Sequence, residues 1–210
     1  MSATIVYLAR HGATDNNLAH PPRLQGQRSD PPLSVAGREQ AQGLARYLSS
    51  AEHHLDACYA SPLVRAMETA QPAAALRGLT VTPVPELREC DIGDWEGRDW
   101  AEIERTEPEA FRLFHEDAGL HPYAGGENLT QLRDRIAPAI ERVAAAHAGG
   151  RILIVAHNVV NRCYMAHVLK IPLRYTRQIP QHNTGLNVLK FEGGKAQVLA
   201  INSIWHLGEV

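Results

Sequence analysis

The sequence predicts a three-layer α/β/α sandwich around a mostly parallel central sheet, in a single domain over residues 1–210. Two observations carry this. Short β-branched and apolar runs alternate with longer segments of helical periodicity, which is the pattern of parallel strands joined by crossover helices. The last two apolar runs flank Glu192-Gly193-Gly194-Lys195 instead, and read as a hairpin closing the sheet.

Thr4–Leu8 is β-branched and apolar, runs straight into Arg10-His11-Gly12, and reads as a buried strand. Pro21-Pro22 and Pro31-Pro32 make the next stretch, to about Leu33, a long loop. Ser34 then caps a helix with apolar positions at Ala41, Leu44, Ala45 and Leu48. Leu55–Ala60 is the second strand. Ser61-Pro62 opens the next helix, Ser61 as N-cap and Pro62 at the first helical position, with Arg65 in the first turns and an end near Leu76.

Thr80–Val84 is the third strand, and Glu86–Arg98 a loop with two glycines. Asp99 and Glu102 have capping-box spacing and start a helix. Leu113–Glu127 reads as irregular, and about residues 100–127 as a lid-like insertion. Asn128–His147 is a long amphipathic helix broken by Gly149-Gly150, and Arg151–Ala156 the fourth strand. Asn158 caps a helix ending near Lys170-Ile171-Pro172. The hairpin strands are Leu186–Phe191 and Ala196–Ile201.

A formal net charge of −2 leaves no basic excess for binding nucleic acid through counterion release. No apolar run approaches the roughly 20 residues that span a bilayer, and Met1-Ser2-Ala3-Thr4 lacks the basic start of a leader. Cys58, Cys90 and Cys163 are odd in number and form no CxxC pair; Cys58 and Cys163 fall in apolar segments as buried thiols. A cytoplasmic protein is the expectation.

Ligands of open α/β sheets bind beyond the carboxyl ends of the strands. There the first strand delivers Arg10 and His11, the second Ser61 with Arg65 one turn on, and the fourth His157 and Asn158; the loop after the third supplies Glu89. Arginine forks match phosphate oxygens. A neutral imidazole can attack phosphorus, and a carboxylic acid can protonate the leaving oxygen and then serve as base toward water. The set suits phosphoryl transfer and requires no metal or other cofactor.

Arg10-His11-Gly12-Ala13-Thr14-Asp15-Asn16-Asn17 resembles the opening signature of the histidine phosphatase superfamily, in its phosphoglycerate-mutase-like branch. Asp30–Gly37, Ser61–Ala70, Leu87-Arg88-Glu89 with Gly93–Gly97, and Val155-Ala156-His157 are similar to further family segments, in the same order. The resemblance implies His11 as nucleophile, Glu89 as proton donor, and Arg10, Arg65 and His157 as holders of the phosphoryl oxygens. It puts Asn17 on phosphate, and gives Asn158 and Thr184 places at the same pocket. Two positions depart from the family pattern: Ala13 stands where Glu or Gln is common, and Asn158 where Gly is common.

Other readings exist for single residues. His11 is also explicable as a loop histidine, Arg65 as a helix-surface arginine, and Glu86, Asp91 and Glu96 compete with Glu89. A binuclear metal hydrolase would require HxH, HxxxH or DxH spacing, which is absent around His11 and His157. The expectation is a phosphatase acting on a small phosphorylated metabolite. A cofactor-dependent phosphoglycerate mutase and a non-catalytic phosphoester-binding module are the alternatives. Trp100–Glu127 is short, and its only basic residues besides histidine are Arg105 and Arg112, a poor wall for a doubly anionic acid; Phe111, Phe114 and Tyr123 point to a substrate with an uncharged or aromatic part.

Overall fold

A computed structural model describes residues 2–50 and 53–208. Met1, at the head of the segment read for a leader, and the last two residues of the expected 1–210 domain lie outside the described residues. The elements run β1 (Thr4–Arg10), α1 (Asp15–Leu18), α2 (Val35–Leu48), β2 (Ala57–Ala60), α3 (Val64–Ala75) and β3 (Val81–Pro83). They continue with α4 (Trp100–Thr106), α5 (Pro108–Glu116), α6 (Leu129–Ala145), β4 (Arg151–Ala156), α7 (Asn158–Leu169), β5 (Leu186–Glu192) and β6 (Lys195–Ser203). The six strands form one sheet in the order β3-β2-β4-β1-β5-β6. β3, β2, β4 and β1 pair in parallel, and β5 is antiparallel to both β1 and β6.

Strand alternation sorts the core into two layers. Val6, Leu8, Ile152 and Ile154 face one side, packed with α6 residues such as Ile136 and Ile140 and with Val160 and Tyr164 of α7. Tyr7, Ala9, Leu153 and Val155 face the other, against Leu44 and Leu48 of α2 and Ala66 and Ala70 of α3. The parallel strands are therefore apolar on both faces, as strands covered by helices on each side must be. All three cysteines are buried and unpaired. Among the described residues, no helix is long and apolar enough to cross a membrane.

Two helix starts differ from the sequence expectation, for one physical reason. Ser61 does not cap α3, whose cap position is Leu63 with no side-chain bond. Asp30, from the preceding long loop, instead accepts from the Val64 amide at 2.8 and 3.0 Å. Asn158 is the first residue of α7 rather than its cap; His157 occupies that position, also without a side-chain cap bond. The orphan amides of this turn are satisfied by Glu89. In both cases a carboxylate distant in sequence takes the work of a local cap, favoured by the partial positive charge of a helix start.

The other caps follow local chemistry. Asp99 accepts from the Glu102 amide at 2.9 Å, and Asn128 forms a full capping box with Gln131. α5 extends to Glu116, into the stretch expected to be irregular from Leu113. It begins at Pro108, whose missing N–H costs nothing in a first turn, and Phe114 anchors it in the core. β1 runs two residues beyond Leu8, because Ala9 and Arg10 continue the ladder with Val155 and Ala156.

Candidate active site

The carboxyl ends of β1 and β4 lie side by side, so their neighbours His11 and His157 meet, with ring centroids 5.2 Å apart and planes at 60°. His11 is 3% exposed. Its Nδ1 lies 2.7 Å from the Gly12 carbonyl oxygen, an acceptor, so Nδ1 carries the proton and Nε2 keeps its lone pair. Burial, then the charges of Arg10 and Arg65, hold the His11 pKa well below the usual imidazole value. The ring is neutral, of fixed tautomer, and part of the cavity wall.

The backbone behind His11 is tightly packed. Gly12 donates its amide to Thr69 Oγ1 at 2.9 Å. A Cβ on Gly12 would come 2.5 Å from the Gly37 carbonyl oxygen, and one on Gly37 would come 2.0 Å from that of Ala13. Two glycines thus let α2 press directly on the loop that carries His11. The His11 carbonyl accepts from the Asn183 side chain at 3.1 Å and the Thr184 amide at 3.3 Å.

The cavity floor is cationic. Arg10 donates from Nη1 to the Gln181 carbonyl at 2.8 Å, while its buried Nε has no partner. Its pKa is lowered to about 10, chiefly by burial, against the opposing pull of Glu89. Arg65 is fully buried and donates to the carbonyls of Ser29 at 3.1 Å and Gly26 at 2.7 Å. The Gln25 amide, with its oxygen toward Arg65 Nε at 2.7 Å and its nitrogen toward Thr14 Oγ1, completes the cradle. Asp30 adds charge at 3.6 Å. Glu96 fixes the cradle loop in turn, accepting from the Gly26 amide at 2.8 Å and from Ser29 Oγ at 2.5 Å.

His157 is fully buried and neither ring nitrogen has a partner. Burial first, then Arg65, His11 and Arg10, hold its pKa well below the usual value. An unpaired buried polar group is costly, and Arg10 Nε and His157 leave such groups together. A multi-oxygen anion over this floor would satisfy them at once.

Glu89 stands at the same cavity, 3% exposed. Its carboxylate accepts from its neighbour's Cys90 amide at 2.9 Å and, at the start of α7, from the Val159 and Val160 amides at 3.2 and 3.3 Å. Burial nevertheless dominates these amides and the two arginines, and raises its pKa. Arg135 of α6 holds the backbone here, donating to the carbonyls of Arg88 at 2.9 Å and Glu89 at 3.0 Å while paired with Glu127 at 2.8 Å. Glu86 pairs instead with Arg142, Asp91 with Arg28, and Glu96 with the cradle loop, so the three carboxylates that compete with Glu89 have other partners.

The cavity has a volume of about 610 Å³. Arg10, His11, Asn17, Glu89 and Asn158 line it, while Arg65 and His157 are fully buried and are not part of the lining, His157 packing against the His11 ring. Asn17 also accepts from the Thr14 amide at 3.1 Å, and the Asn158 Oδ1 is buried without a partner. Thr184 departs from the expectation of a phosphate contact. Its hydroxyl donates to the Asn183 carbonyl at 2.7 Å and lies 3.0 Å from His206 Nε2, and it is absent from the cavity wall, which Asn183 supplies instead. At φ 55°, Thr184 turns the chain so that its amide, not its side chain, faces the His11 loop.

Three features were not legible in the sequence. Gln25 and the carbonyls that cradle Arg65 come from a loop without a motif. Arg135 acts from a helix 46 residues beyond Glu89. The third is a side chamber of about 120 Å³, which opens beside the cavity and shares Leu24, Trp100, Tyr123, Asn158 and Val159 with it. Arg162, Arg174 and Arg177 line it. The expectation of a neutral wall looked for basic residues in 100–127, but they arrive from α7 and the turn after it; Arg112 instead pairs with Glu109 and Glu116 at the surface. His115 lines the chamber, whereas His182 bonds Asn202 away from it. Trp95 is fully buried against Phe114 and Tyr123 and donates to Glu107 at 3.0 Å, a packing role.

The chain is similar to known proteins over nearly its whole length. The chain is 34% identical over 207 residues to the phosphoglycerate mutase-like protein 4 of Arabidopsis thaliana, covering 97% of this chain and 87% of that one. It is 32% identical over 202 residues to phosphoserine phosphatase 1 of Hydrogenobacter thermophilus, covering 96% and 93%. The solved structure of Bacillus stearothermophilus YhfR superposes with a TM-score of 0.88 at 33% identity, covering 97% of this chain and 99% of that chain. The model of the histidine phosphatase superfamily, branch 1, matches residues 6–204, and the chain belongs to that family.

Proposed function

We propose that this enzyme hydrolyses a small phosphomonoester through a phosphohistidine on His11, with Glu89 as proton donor. The observation that carries the reading is the free Nε2 of a neutral, tautomer-fixed His11 above unpartnered donors of Arg10 and His157. The phosphoryl oxygens are held by Arg10, Arg65 and His157, with Asn17 at the rim. Nε2 attacks phosphorus as the ester oxygen departs, and protonated Glu89 gives that oxygen its proton. Arriving phosphate charge pushes the Glu89 pKa further up and that of His157 up as well, so each gains a proton where one is needed. The Glu89 carboxylate then takes a proton from water, which attacks phosphorus and releases His11 and inorganic phosphate.

Hydrolysis over transfer to a second acid is supported by room: a cavity of about 610 Å³ admits water beside a phosphorylated ring, since one water occupies roughly 30 Å³. The substrate class fits a relative named for phosphoserine. Phosphate release should be measured over a panel of phosphomonoesters, with and without chelator and with and without bisphosphoglycerate. Release without additives supports the reading. Efficient mutase turnover with negligible phosphate release, or activity abolished by the chelator, overturns it.

A further inference from the structure

The side chamber holds positive charge that the phosphoryl chemistry does not use. Arg162 of α7 spends Nε on the Ile179 carbonyl at 2.9 Å, and its guanidinium has no carboxylate partner among the described residues. Arg177 Cζ lies over Trp100 and Phe114, 4.8 and 4.9 Å from the ring centroids, and the side chain likewise has no carboxylate partner there. Arg174 is partly neutralised by Asp117 at 3.9 Å. Elsewhere around the cavity, exposed arginines are paired: Arg23 with Asp99 at 3.2 Å, Arg28 with Asp91 at 3.0 Å. The chamber is the exception, and it adjoins the cavity holding His11 through Asn158 and Val159.

Cation–π contact with two rings holds the Arg177 guanidinium at the chamber wall. Arg162 faces the same chamber from α7, the helix that follows His157. Two fixed, unpaired forks in a space of about 120 Å³ make a receptor for one oxyanion group, which can bind either fork bidentately.

We propose that Arg162 and Arg177 bind a second oxyanion of the substrate, a carboxylate or a second phosphate, while its ester phosphate sits at His11. The substrate is then a phosphorylated acid or a bisphosphate rather than an ester with a neutral or aromatic tail. This rests on the phosphoryl-site reading above and adds specificity to it. Selectivity against neutral tails follows from the desolvation that two unpaired guanidinium groups would suffer beneath one.

The test is calorimetric binding to the full-length His11→Ala protein, which separates affinity from turnover. The probes are inorganic phosphate, glycerol 3-phosphate as neutral-tailed ester, 3-phosphoglycerate as carboxylate and 2,3-bisphosphoglycerate as second phosphate. One or both of the last two should bind about tenfold or more tighter than glycerol 3-phosphate, and the tighter of them names the group. Adding Arg177→Gln, at an exposed side chain, should cut that preference about tenfold; Arg162→Gln should do the same. Equal affinity for acidic and neutral esters, or a preference unmoved by Arg177→Gln, overturns the proposal while phosphate binding still upholds the phosphoryl site. Failure of phosphate and all three esters to bind overturns both.

Discussion

The Glu89 carboxylate accepts a hydrogen bond from the Val159 amide at 3.2 Å, so the side chain read as proton donor also closes the start of the helix that follows His157. Two opposing forces act on that carboxyl. Helix amides favour its charge, and burial disfavours it more. Glu89 and His157 are thereby tied to one element, α7.

This sets the pH dependence. The Glu89 pKa is raised, so the protonated donor persists above the ordinary carboxylate range and is lost as pH rises through the shifted value. The His11 pKa is lowered, so the ring proposed as nucleophile stays unprotonated well below the ordinary imidazole value. Activity should therefore be high on the acid side of neutrality and fall toward alkaline pH. A kcat/KM profile checks this; an acid limb at the ordinary imidazole pKa would contradict it.

Replacing the donor should depend on the leaving group. Glu89→Gln keeps the shape but has no proton to give. Hydrolysis of an alkyl phosphate should fall about 10²–10⁴-fold, and that of p-nitrophenyl phosphate, whose leaving group needs no proton, far less. Equal losses on both esters would remove Glu89 from the donor role.

His11→Ala should abolish turnover, and the native protein quenched during turnover should carry acid-labile, base-stable phosphate at His11. Peptide mapping of labelled protein reads the position directly. Turnover surviving in His11→Ala would show that another group attacks phosphorus.

Arg135→Ala should loosen the acid loop from beneath. The side chain donates to the carbonyls of Arg88 and Glu89 and pairs with Glu127, the last two contacts partly buried. Losing it leaves the Glu127 charge and these carbonyls short of donors, for roughly 1–3 kcal/mol of stability. The denaturant midpoint should drop, and the kcat of alkyl phosphates should fall more than that of p-nitrophenyl phosphate.

Gly37→Ala should be destabilising although it adds one methyl. That methyl would meet the Ala13 carbonyl oxygen at 2.0 Å, and neither backbone can yield without moving the loop that carries His11. Roughly 1–3 kcal/mol, read as a lower melting temperature, is expected from such overpacking, with a parallel loss of activity.

Local chemistry made much of this legible in one dimension. Alternating apolar runs determined the layered sheet, and strand ends followed by polar residues placed Arg10, His11 and His157 on one edge. Asn128 and Asp99 capped their helices as their types demand, because a cap needs only its own next turn. Ser61 and Asn158 did not, because Asp30 and Glu89 reach those amides through space, and a carboxylate outcompetes a neutral cap at a helix start. The same limit hid the arginine chamber. Arg162 and Arg177 lie 15 residues apart in sequence and far from Trp100, and only packing of the α4–α5 wall against the turn after α7 sets them over one space. Sequence periodicity determines which face a residue takes; which distant faces meet is decided by how the layers pack, and with it the charge that a substrate encounters.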